Sequence, residues 1–284
     1  MQPVEIWDTF SSILKDSGIV GGREAKPHSR PYMASIQYLG HHSCGGILIR
    51  EDFVLTAAHC KGPCTVVLGA HDISKKEKSQ QHIEVAKYYP HPKYNGTLNY
   101  DIMLLKLKKK ATLKNHVKTI RIPKKNGKTP ANIECLVAGW GLTKVNGSCS
   151  NVLKEAREKI QFGTECSHIW KHHFRSDHMI CTKFTKKSGG GDSGGPLICN
   201  KMPQGITAFT FASNCNDPKY PHVFTKVNFF IPWIEQTMKK RGMMHEPLVK
   251  GIMAFSSLTE NALVLKKNSK DGACVYARHV KKNS

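Results

Sequence analysis

The 284-residue sequence has no long apolar run and no Cys-x-x-Cys pair, and it has far fewer acidic than basic residues. No stretch approaches the roughly 18 apolar residues that a membrane-spanning helix needs, so we expect no membrane span. The ten cysteines lack the Cys-x-x-Cys spacing of common zinc sites. We therefore assign no metal and no cofactor, and the cysteines predict disulfides formed in an oxidising compartment.

Acidic residues are scarce, since 21 Asp and Glu stand against 43 Lys and Arg and give a formal net charge of +22. Most of this charge lies between residues 19 and 240. A field of this size attracts anions over a long range, so we expect a polyanionic partner. Nucleic acid is the weaker candidate because the sequence carries no recognition motif for it.

Both ends of the chain differ from the middle. Residues 1–18 hold three acidic residues and no apolar run of seven, so they do not read as a signal peptide, and we treat them as a leader or propeptide of doubtful status. We expect the true start to be missing or mispredicted. Residues 241–284 are basic and too short for a core, which predicts a disordered tail or an artefact of gene prediction.

The middle of the chain has short apolar runs separated by Gly, Pro, Asn or Lys. This density of short strands predicts an all-β barrel or sandwich. Six such runs stand out: residues 47–49, 53–55, 66–68, 102–105, 136–138 and 196–198. Residues 229–240 have helical spacing instead, with Pro232 expected in the first turn, and predict a closing helix.

A serine lies among glycines in Gly191-Asp192-Ser193-Gly194-Gly195-Pro196. Glycines let backbone amides approach a substrate closely. The same letters fit the Gly-x-Ser-x-Gly turn of α/β-hydrolases, in which an acid and a histidine follow the serine, as Asp217 and His222 do here. That fold needs alternating strands and helices, which the sequence lacks.

Two upstream segments favour another order, His then Asp then Ser: Thr56-Ala57-Ala58-His59-Cys60 and Tyr100-Asp101-Ile102-Met103-Leu104. With them the chain resembles the trypsin/chymotrypsin family of serine proteases. Three more segments extend the resemblance, and the six motifs span most of residues 19–240: Ile19-Val20-Gly21-Gly22, Ser43-Cys44-Gly45-Gly46 and Gly139-Trp140-Gly141.

The resemblance implies two six-stranded antiparallel barrels with a C-terminal helix, in one domain over residues 19–240. The first barrel would span about residues 30–118 and the second about 128–228. Ser193 would be the nucleophile, His59 its base and Asp101 the residue that orients the base. The backbone amides of Gly191 and Ser193 would form the oxyanion hole.

The resemblance also implies activation by cleavage before Ile19, whose new amine would pair with Asp192. Gly18 precedes the cut, as in the granzyme and mast-cell protease branch, rather than Lys or Arg. The other histidines, including His41-His42, are expected on solvated faces. Three disulfides are implied: Cys44–Cys60, Cys135–Cys199 and Cys166–Cys181. The fates of the other four cysteines stay open: Cys64, Cys149, Cys215 and Cys274.

The specificity pocket departs from the trypsin pattern. Its floor matches Lys187, or Ser188 with another gap placement, so we expect no cleavage after Lys or Arg. Ala208 and Thr210 replace the usual Ser and Gly of the edge strand, and Thr210 should narrow the entrance. His222 stands at a wall position and permits an acidic or a medium-sized apolar preference, unless it is a loop residue that faces water.

The branch that the chain resembles stores its proteases in granules on sulfated proteoglycan. We therefore expect a monomer that acts on proteins or peptides and is secreted or stored in granules, with a sulfated proteoglycan or another polyanion as partner. Asn95 and Asn146 begin glycosylation sequons. The alternative is a non-catalytic, polyanion-binding homologue.

Overall fold

The computed structural model describes residues 19, 22–125, 127–143, 148–184, 192–211 and 217–240. The proposed leader and tail, Lys187, Ser188, Gly191 and Asn146 lie outside the described residues. Within the described part no helix is long and apolar enough to cross a membrane.

The first half of the chain closes into a six-stranded antiparallel barrel with the strand order β2-β3-β4-β7-β6-β5. Strand β4 is buried at all four positions, which fits its run of three apolar residues before Thr56. Six strands form this barrel: β2 (Met33–Tyr38), β3 (His41–Arg50), β4 (Phe53–Thr56), β5 (Thr65–Leu68), β6 (Gln81–Pro90) and β7 (Met103–Leu107).

The second half forms a sheet with the order β1-β9-β10-β13-β12-β11-β8, and the pairing of β8 with β9 closes six of its strands into another barrel. The short β1 (Arg23–Glu24) lies at the edge beside β9. The barrel consists of β8 (Glu134–Gly139), β9 (Lys154–Ile160), β10 (Met179–Phe184), β11 (Pro196–Cys199), β12 (Met202–Phe209) and β13 (His222–Lys226). The two-barrel fold predicted from the motifs is confirmed, and the α/β-hydrolase alternative is wrong.

Within the described residues two α-helices flank the barrels: α1 (Gly163–Trp170) and α2 (Val227–Lys240). Helix α2 packs Phe230, Ile231 and Ile234 onto the core cluster of the first barrel, so the helix that follows the second barrel contacts the first. It begins two residues before the expected position 229. Pro232 therefore lies inside the helix rather than in its first turn, and its missing N–H removes one helical hydrogen bond.

Three disulfides are described: Cys44–Cys60, Cys135–Cys199 and Cys166–Cys181. These are the pairs that the resemblance implied. Cys149 is also disulfide-bonded, whereas Cys64 is a free thiol. Each bridge closes a loop and restricts the unfolded chain, which stabilises the fold.

Candidate active site

A histidine and an aspartate meet where the first barrel faces the second. His59 lies in a short 3₁₀ helix, Ala58–Cys60, just after β4, and Asp101 lies just before β7. Asp101 accepts two hydrogen bonds, one from the His59 backbone N–H at 2.9 Å and one from the ring Nδ1 at 2.6 Å. With Nδ1 donating to the carboxylate, Nε2 of a neutral imidazole is left as a proton acceptor.

The environment of His59 favours a strong base. Burial alone would lower the pKa of His59, but the charge of Asp101 and its hydrogen bond outweigh burial and raise the pKa above 6.5. Burial, with the charge of Asp101 as a second cause, raises the pKa of the neighbouring Tyr94 hydroxyl, so Tyr94 stays neutral. Asp101 is thus the charged partner that orients the imidazole and stabilises its protonated form.

The second barrel also holds Asp101. The Thr225 hydroxyl, on β13, donates to the Asp101 carbonyl oxygen at 2.8 Å. Ala208, on the adjacent β12, is buried and has no hydroxyl to offer. The side-chain hydroxyl of Thr225 therefore helps to fix the backbone of Asp101.

Ser193 lies in a tight turn that the first barrel holds in place. The Gly195 N–H donates to the Asp192 carbonyl at 2.7 Å, and the Gly45 N–H donates to the Ser193 carbonyl at 2.8 Å. Gly194 has a φ of +75°, and a Cβ there would lie 2.2 Å from the Thr56 hydroxyl. The turn therefore needs glycine both for its backbone conformation and for its close packing.

The first barrel brings Ser193 and His59 into the same region. The Ser193 carbonyl oxygen lies 3.8 Å from Cys60 Sγ, the residue next to His59. Ser193 is partly exposed, and the His59 side chain keeps 19% of its surface exposed. The backbone of Ser193 therefore approaches the residue next to His59, and both side chains are partly exposed.

The Asp192 carboxylate is buried and bound by His42. His42 Nε2 lies 2.9 Å from Asp192 Oδ1 and 2.8 Å from Oδ2, while His42 Nδ1 lies 2.9 Å from the Ser35 hydroxyl. The Trp140 N–H donates to the same carboxylate at 3.0 Å. The expectation that His42 lies on a solvated face is wrong, because it is one of the buried polar side chains of the first barrel.

Ile19, the other half of the expected activation pair, is buried in the second-barrel core with Cys135, Val137 and Ala156. In this uncut chain the Asp192 carboxylate is engaged by His42 and Trp140. Sequence motifs pointed to Asp192 but not to the Ser35–His42 partner, because neither residue belongs to a recognised motif of this sequence.

Of the expected pocket residues, the structure describes Ala208, Thr210 and His222, and all three are buried. His222 is fully buried, so the reading of His222 as a loop residue facing water is wrong. His222 Nδ1 lies 2.9 Å from Oε1 of Glu158 on β9, and Glu158 belongs to none of the sequence motifs. Because Glu158 lies between Arg157 and Lys159 in the sequence, the local pattern indicates a charged, exposed segment. Only the closed barrel shows that the Glu158 side chain is buried.

One group of ligand atoms has the proximity of a metal site, since the nearest donor atoms of Cys44, His59 and Cys60 lie within 4.8 Å of one another. The two sulfurs are joined in a disulfide, and His59 Nδ1 is engaged by Asp101. The group therefore offers no thiolate ligands, and its chemistry does not fit a metal site.

Comparison with known proteins identifies close relatives. The sequence model of the family described as Trypsin matches residues 19–234. Granzyme B of Rattus norvegicus is 48% identical over 231 residues, which cover 78% of this chain and 92% of that protein. Chymase of Canis lupus familiaris is 46% identical over 233 residues, with coverages of 78% and 90%. The solved structure of neuropsin, described as a serine protease expressed in the limbic system of mouse brain, superposes with a TM-score of 0.73 at 34% identity, covering 78% of this chain and all of neuropsin.

Proposed function

The chain belongs to the trypsin family and is a serine endopeptidase, and we propose that it hydrolyses peptide bonds with Ser193, His59 and Asp101 as its catalytic triad. The observation that carries this assignment is the 2.6 Å contact of His59 Nδ1 with the buried Asp101, beside a glycine-held serine turn. The reaction is the established one for the family. Ser193 attacks the carbonyl, His59 takes its proton and passes it to the leaving amine, and water then hydrolyses the acyl-enzyme.

Activation of this protease would exchange one partner of Asp192 for another. Cleavage before Ile19 creates an α-amino group that competes with His42 for the Asp192 carboxylate. The backbone next to Asp192 supplies Gly191 and Ser193, whose amides would form the oxyanion hole. A buried carboxylate needs a charged or hydrogen-bonding partner in either state, so the exchange would move the oxyanion hole without leaving Asp192 unpaired.

The proposed specificity excludes basic residues before the cut bond, the P1 position. Lys187 or Ser188 would form the floor of the pocket and would offer a Lys or Arg substrate no opposite charge. Thr210 at the entrance favours side chains of medium size. His222 at the wall supports an acidic or a medium-sized apolar P1 residue, as in a granzyme-like protease.

The proposed partner is a sulfated proteoglycan, on which the protease would be stored. Binding to such a partner would equally suit the alternative function, a non-catalytic polyanion-binding homologue. A surface cleft of about 550 Å³ is lined by Glu134 and by five basic residues: Arg23, Arg30, Arg121, Arg157 and Lys201. Carboxylates of Glu155 and Glu134 already pair with three of these arginines, so part of the charge is neutralised within the protein. Retention on a sulfated polysaccharide should fall steeply with salt because counterions are released on binding. The proposed setting is a secretory granule or the extracellular space.

Glycosylation of Asn95 is also proposed, because the side chain is exposed. The Thr97 hydroxyl donates to Asn95 Oδ1 at 2.7 Å, so the sequon lies in an accessible turn. The second sequon, at Asn146, remains a proposal from sequence.

Labelling with a fluorophosphonate probe tests the triad and separates the two functions. The chain beginning at Ile19 should label, the uncut chain should label far more slowly, and Ser193→Ala should abolish the signal. Ser176→Ala, at an exposed serine outside the triad and outside both sequons, is a matched control and should label as the parent does. A correctly folded, cut chain that does not label would overturn the protease assignment and leave the polyanion-binding alternative.

A further inference from the structure

Tyr100, the residue directly before Asp101, has an unusual backbone conformation. Its φ is +56°, in the left-handed region that side chains other than Asn and Asp rarely enter, because Cβ then crowds the following carbonyl oxygen. The Ile102 N–H donates to the Tyr100 carbonyl at 2.8 Å, so Asp101 lies at the centre of a tight turn. The conformation of Tyr100 therefore sets the direction in which the Asp101 side chain leaves the turn.

The ring of Tyr100 is stacked with two histidines from separate parts of the chain. The His91 ring lies 5.1 Å from it and the His178 ring 4.7 Å, each at an interplanar angle of 11°. Phe230 of α2 packs against Tyr100 in a T-shaped arrangement at 6.0 Å. Such ring pairs are favourable beyond the apolar area that they bury. The stack therefore resists movement of the Tyr100 side chain and stabilises its left-handed backbone.

His178 is the histidine of this stack that belongs to the second barrel. It lies directly before β10, and its side chain is only 5% exposed. His178 Nδ1 lies 2.9 Å from Asp177 Oδ1, and Nε2 lies 3.2 Å from Asn99 Oδ1. The Lys226 N–H of β13 donates to the His178 carbonyl at 2.9 Å. The imidazole is thus fixed in the second barrel and contacts the segment that carries Asp101.

We propose that His178 is a positioning residue for the reaction, which holds Tyr100 in its left-handed conformation and so keeps the Asp101 carboxylate on His59. This inference rests on the proposed protease function and adds a residue to it. His178 acts only through Tyr100 and Asp101. The Thr225 hydroxyl holds the Asp101 carbonyl at 2.8 Å, so the second barrel fixes the acid segment at two points.

Strain beside a proposed catalytic group is the observation that carries this role. A left-handed residue with a large side chain persists only where its surroundings hold it, and such residues cluster at active sites. Here the surroundings are the rings of His91, His178 and Phe230. Without His178, Tyr100 is free to relax, and the Asp101 carboxylate would lose its alignment with the imidazole.

Substitution of His178 also removes an ionisable side chain, so the test must separate its charge from its ring. Besides His59, these titratable groups contact the stack or Asp101: Lys93, Asp177, His91 and Tyr94. Burial, together with the charge of Lys93, lowers the pKa of His91 to about 4, which keeps His91 neutral at neutral pH. These groups stay in place in every variant below.

The central comparison is between His178→Ala and His178→Phe, in the chain beginning at Ile19. Both lose the ring nitrogens, but Phe keeps a flat ring over Tyr100. We expect kcat for a peptide that the parent cleaves to fall about tenfold to hundredfold in His178→Ala, the cost of displacing a reacting group by about 1 Å. KM should stay within about twofold, since ground-state contacts are kept. His178→Phe should restore most of kcat.

Variants of Tyr100 test the backbone conformation itself. Asn enters the left-handed region more readily than Ala, and neither has a ring. We therefore expect Tyr100→Asn to keep more of the parental kcat than Tyr100→Ala. His178→Ala should cost less in Tyr100→Asn than in the parent, because the imidazole then has no ring to hold. Fully additive losses would overturn the coupling.

The matched control is His168→Ala, at an exposed histidine of α1 between β9 and β10. It should keep the parental kcat and KM, and a similar fall of kcat there would show a general effect and overturn the proposal. His178 also lines a surface cleft of about 770 Å³. A loss in His178→Ala that appears in KM alone would assign the residue to ligand binding and would also overturn the positioning role.

The pKa of His59 gives a readout without turnover. Burial alone would lower this pKa, but the charge of Asp101 and its hydrogen bond raise it. NMR titration in the Ser193→Ala chain cut before Ile19 should therefore show a lower pKa of His59 in His178→Ala than in His178→Phe. Both variants lack the ionisable imidazole, so this difference reports the position of Asp101 rather than the loss of a charge.

The outcomes separate this inference from the proposed function. A parent that neither labels nor cleaves, with the pKa of His59 lower in His178→Ala than in His178→Phe, would refute the catalytic assignment and support the positioning of Asp101. An active parent whose kcat is unchanged in His178→Ala, or falls equally in His178→Phe, would refute the role of His178. If His178→Ala does not fold, the comparison of Tyr100→Asn with Tyr100→Ala decides, and equal kcat in the two would refute the proposal.

Discussion

Removal of His42 should destabilise the uncut chain much more than the chain cut before Ile19. His42 and Asp192 each expose only 3% of their side chains, and the nearest nitrogen and oxygen are 2.8 Å apart. In the uncut chain, His42→Leu leaves the Asp192 carboxylate buried with the Trp140 N–H as its named donor. In the proposed activation the amine of Ile19 would replace the imidazole after cutting, so Asp192 would again have a partner.

The magnitude follows from the burial of the pair. Removing one partner of a buried ion pair costs about 3–5 kcal/mol. A domain of this size loses roughly 2–4 °C of melting temperature per kcal/mol, so the uncut His42→Leu chain should melt about 6–20 °C below the uncut parent. In the cut chain the substitution would remove only the contact with the Ser35 hydroxyl, which should cost about 1 kcal/mol.

Calorimetric melting of the cut and uncut forms of the parent and the variant measures this difference. His42→Gln is the matched control, because its amide retains one N–H donor toward Asp192 and should lose less stability in the uncut form. An equal fall in melting temperature in both forms would refute the exchange of His42 for the Ile19 amine. A fall below about 4 °C in the uncut chain would refute the contribution of the pair.

Three further predictions concern the triad, its turn and the free thiol. Asp101→Asn should slow peptide hydrolysis by the roughly 10⁴-fold that this change costs in chymotrypsin-like enzymes. Labelling needs a neutral His59, and the charge of Asp101 raises the pKa of that imidazole. In Asp101→Asn the pKa of His59 should therefore fall, and the acidic limb of the labelling–pH profile should move to lower pH. An acidic limb at the parental pH would contradict this role of Asp101. Gly194→Ala should abolish labelling through strain and the clash with Thr56, whereas unchanged labelling would show that the turn adapts. Burial raises the pKa of the Cys64 thiol, so alkylation at neutral pH, followed by mass spectrometry, should be slower than for an unfolded control.

Sequence motifs were sufficient for the fold and placed His59 beside Asp101, as the structure has them. The catalytic roles of His59, Asp101 and Ser193 stay predictions. The motifs did not reveal His42 or Glu158. Both are polar residues of strands whose partners are distant in the sequence. His42 and Asp192 are 150 residues apart, and Glu158 and His222 are 64 residues apart. Only closure of the barrels brings such pairs together, so local pattern assigned His42 to the surface and gave Glu158 no role.

The start of α2 was missed for a related reason. Pro232 suggested a first helical turn, but the helix begins at Val227, directly after β13. Burial of Val227 and Phe230 against the first barrel stabilises a helix that continues through the proline. Tertiary packing therefore outweighed the local preference of proline for a helix start.

The two buried carboxylate–imidazole pairs have the same chemistry but different surroundings. The Asp192–His42 pair joins the barrels, and Asp192 follows directly on the segment that would supply the oxyanion hole. The Glu158–His222 pair lies within one barrel, on strands held by the ladders of β9, β10 and β13. Since buried pairs add little net stability compared with apolar side chains, stability alone does not account for either. An exchangeable partner suits the first pair to the proposed activation, whereas the ladders around the second pair hold both of its members in one barrel.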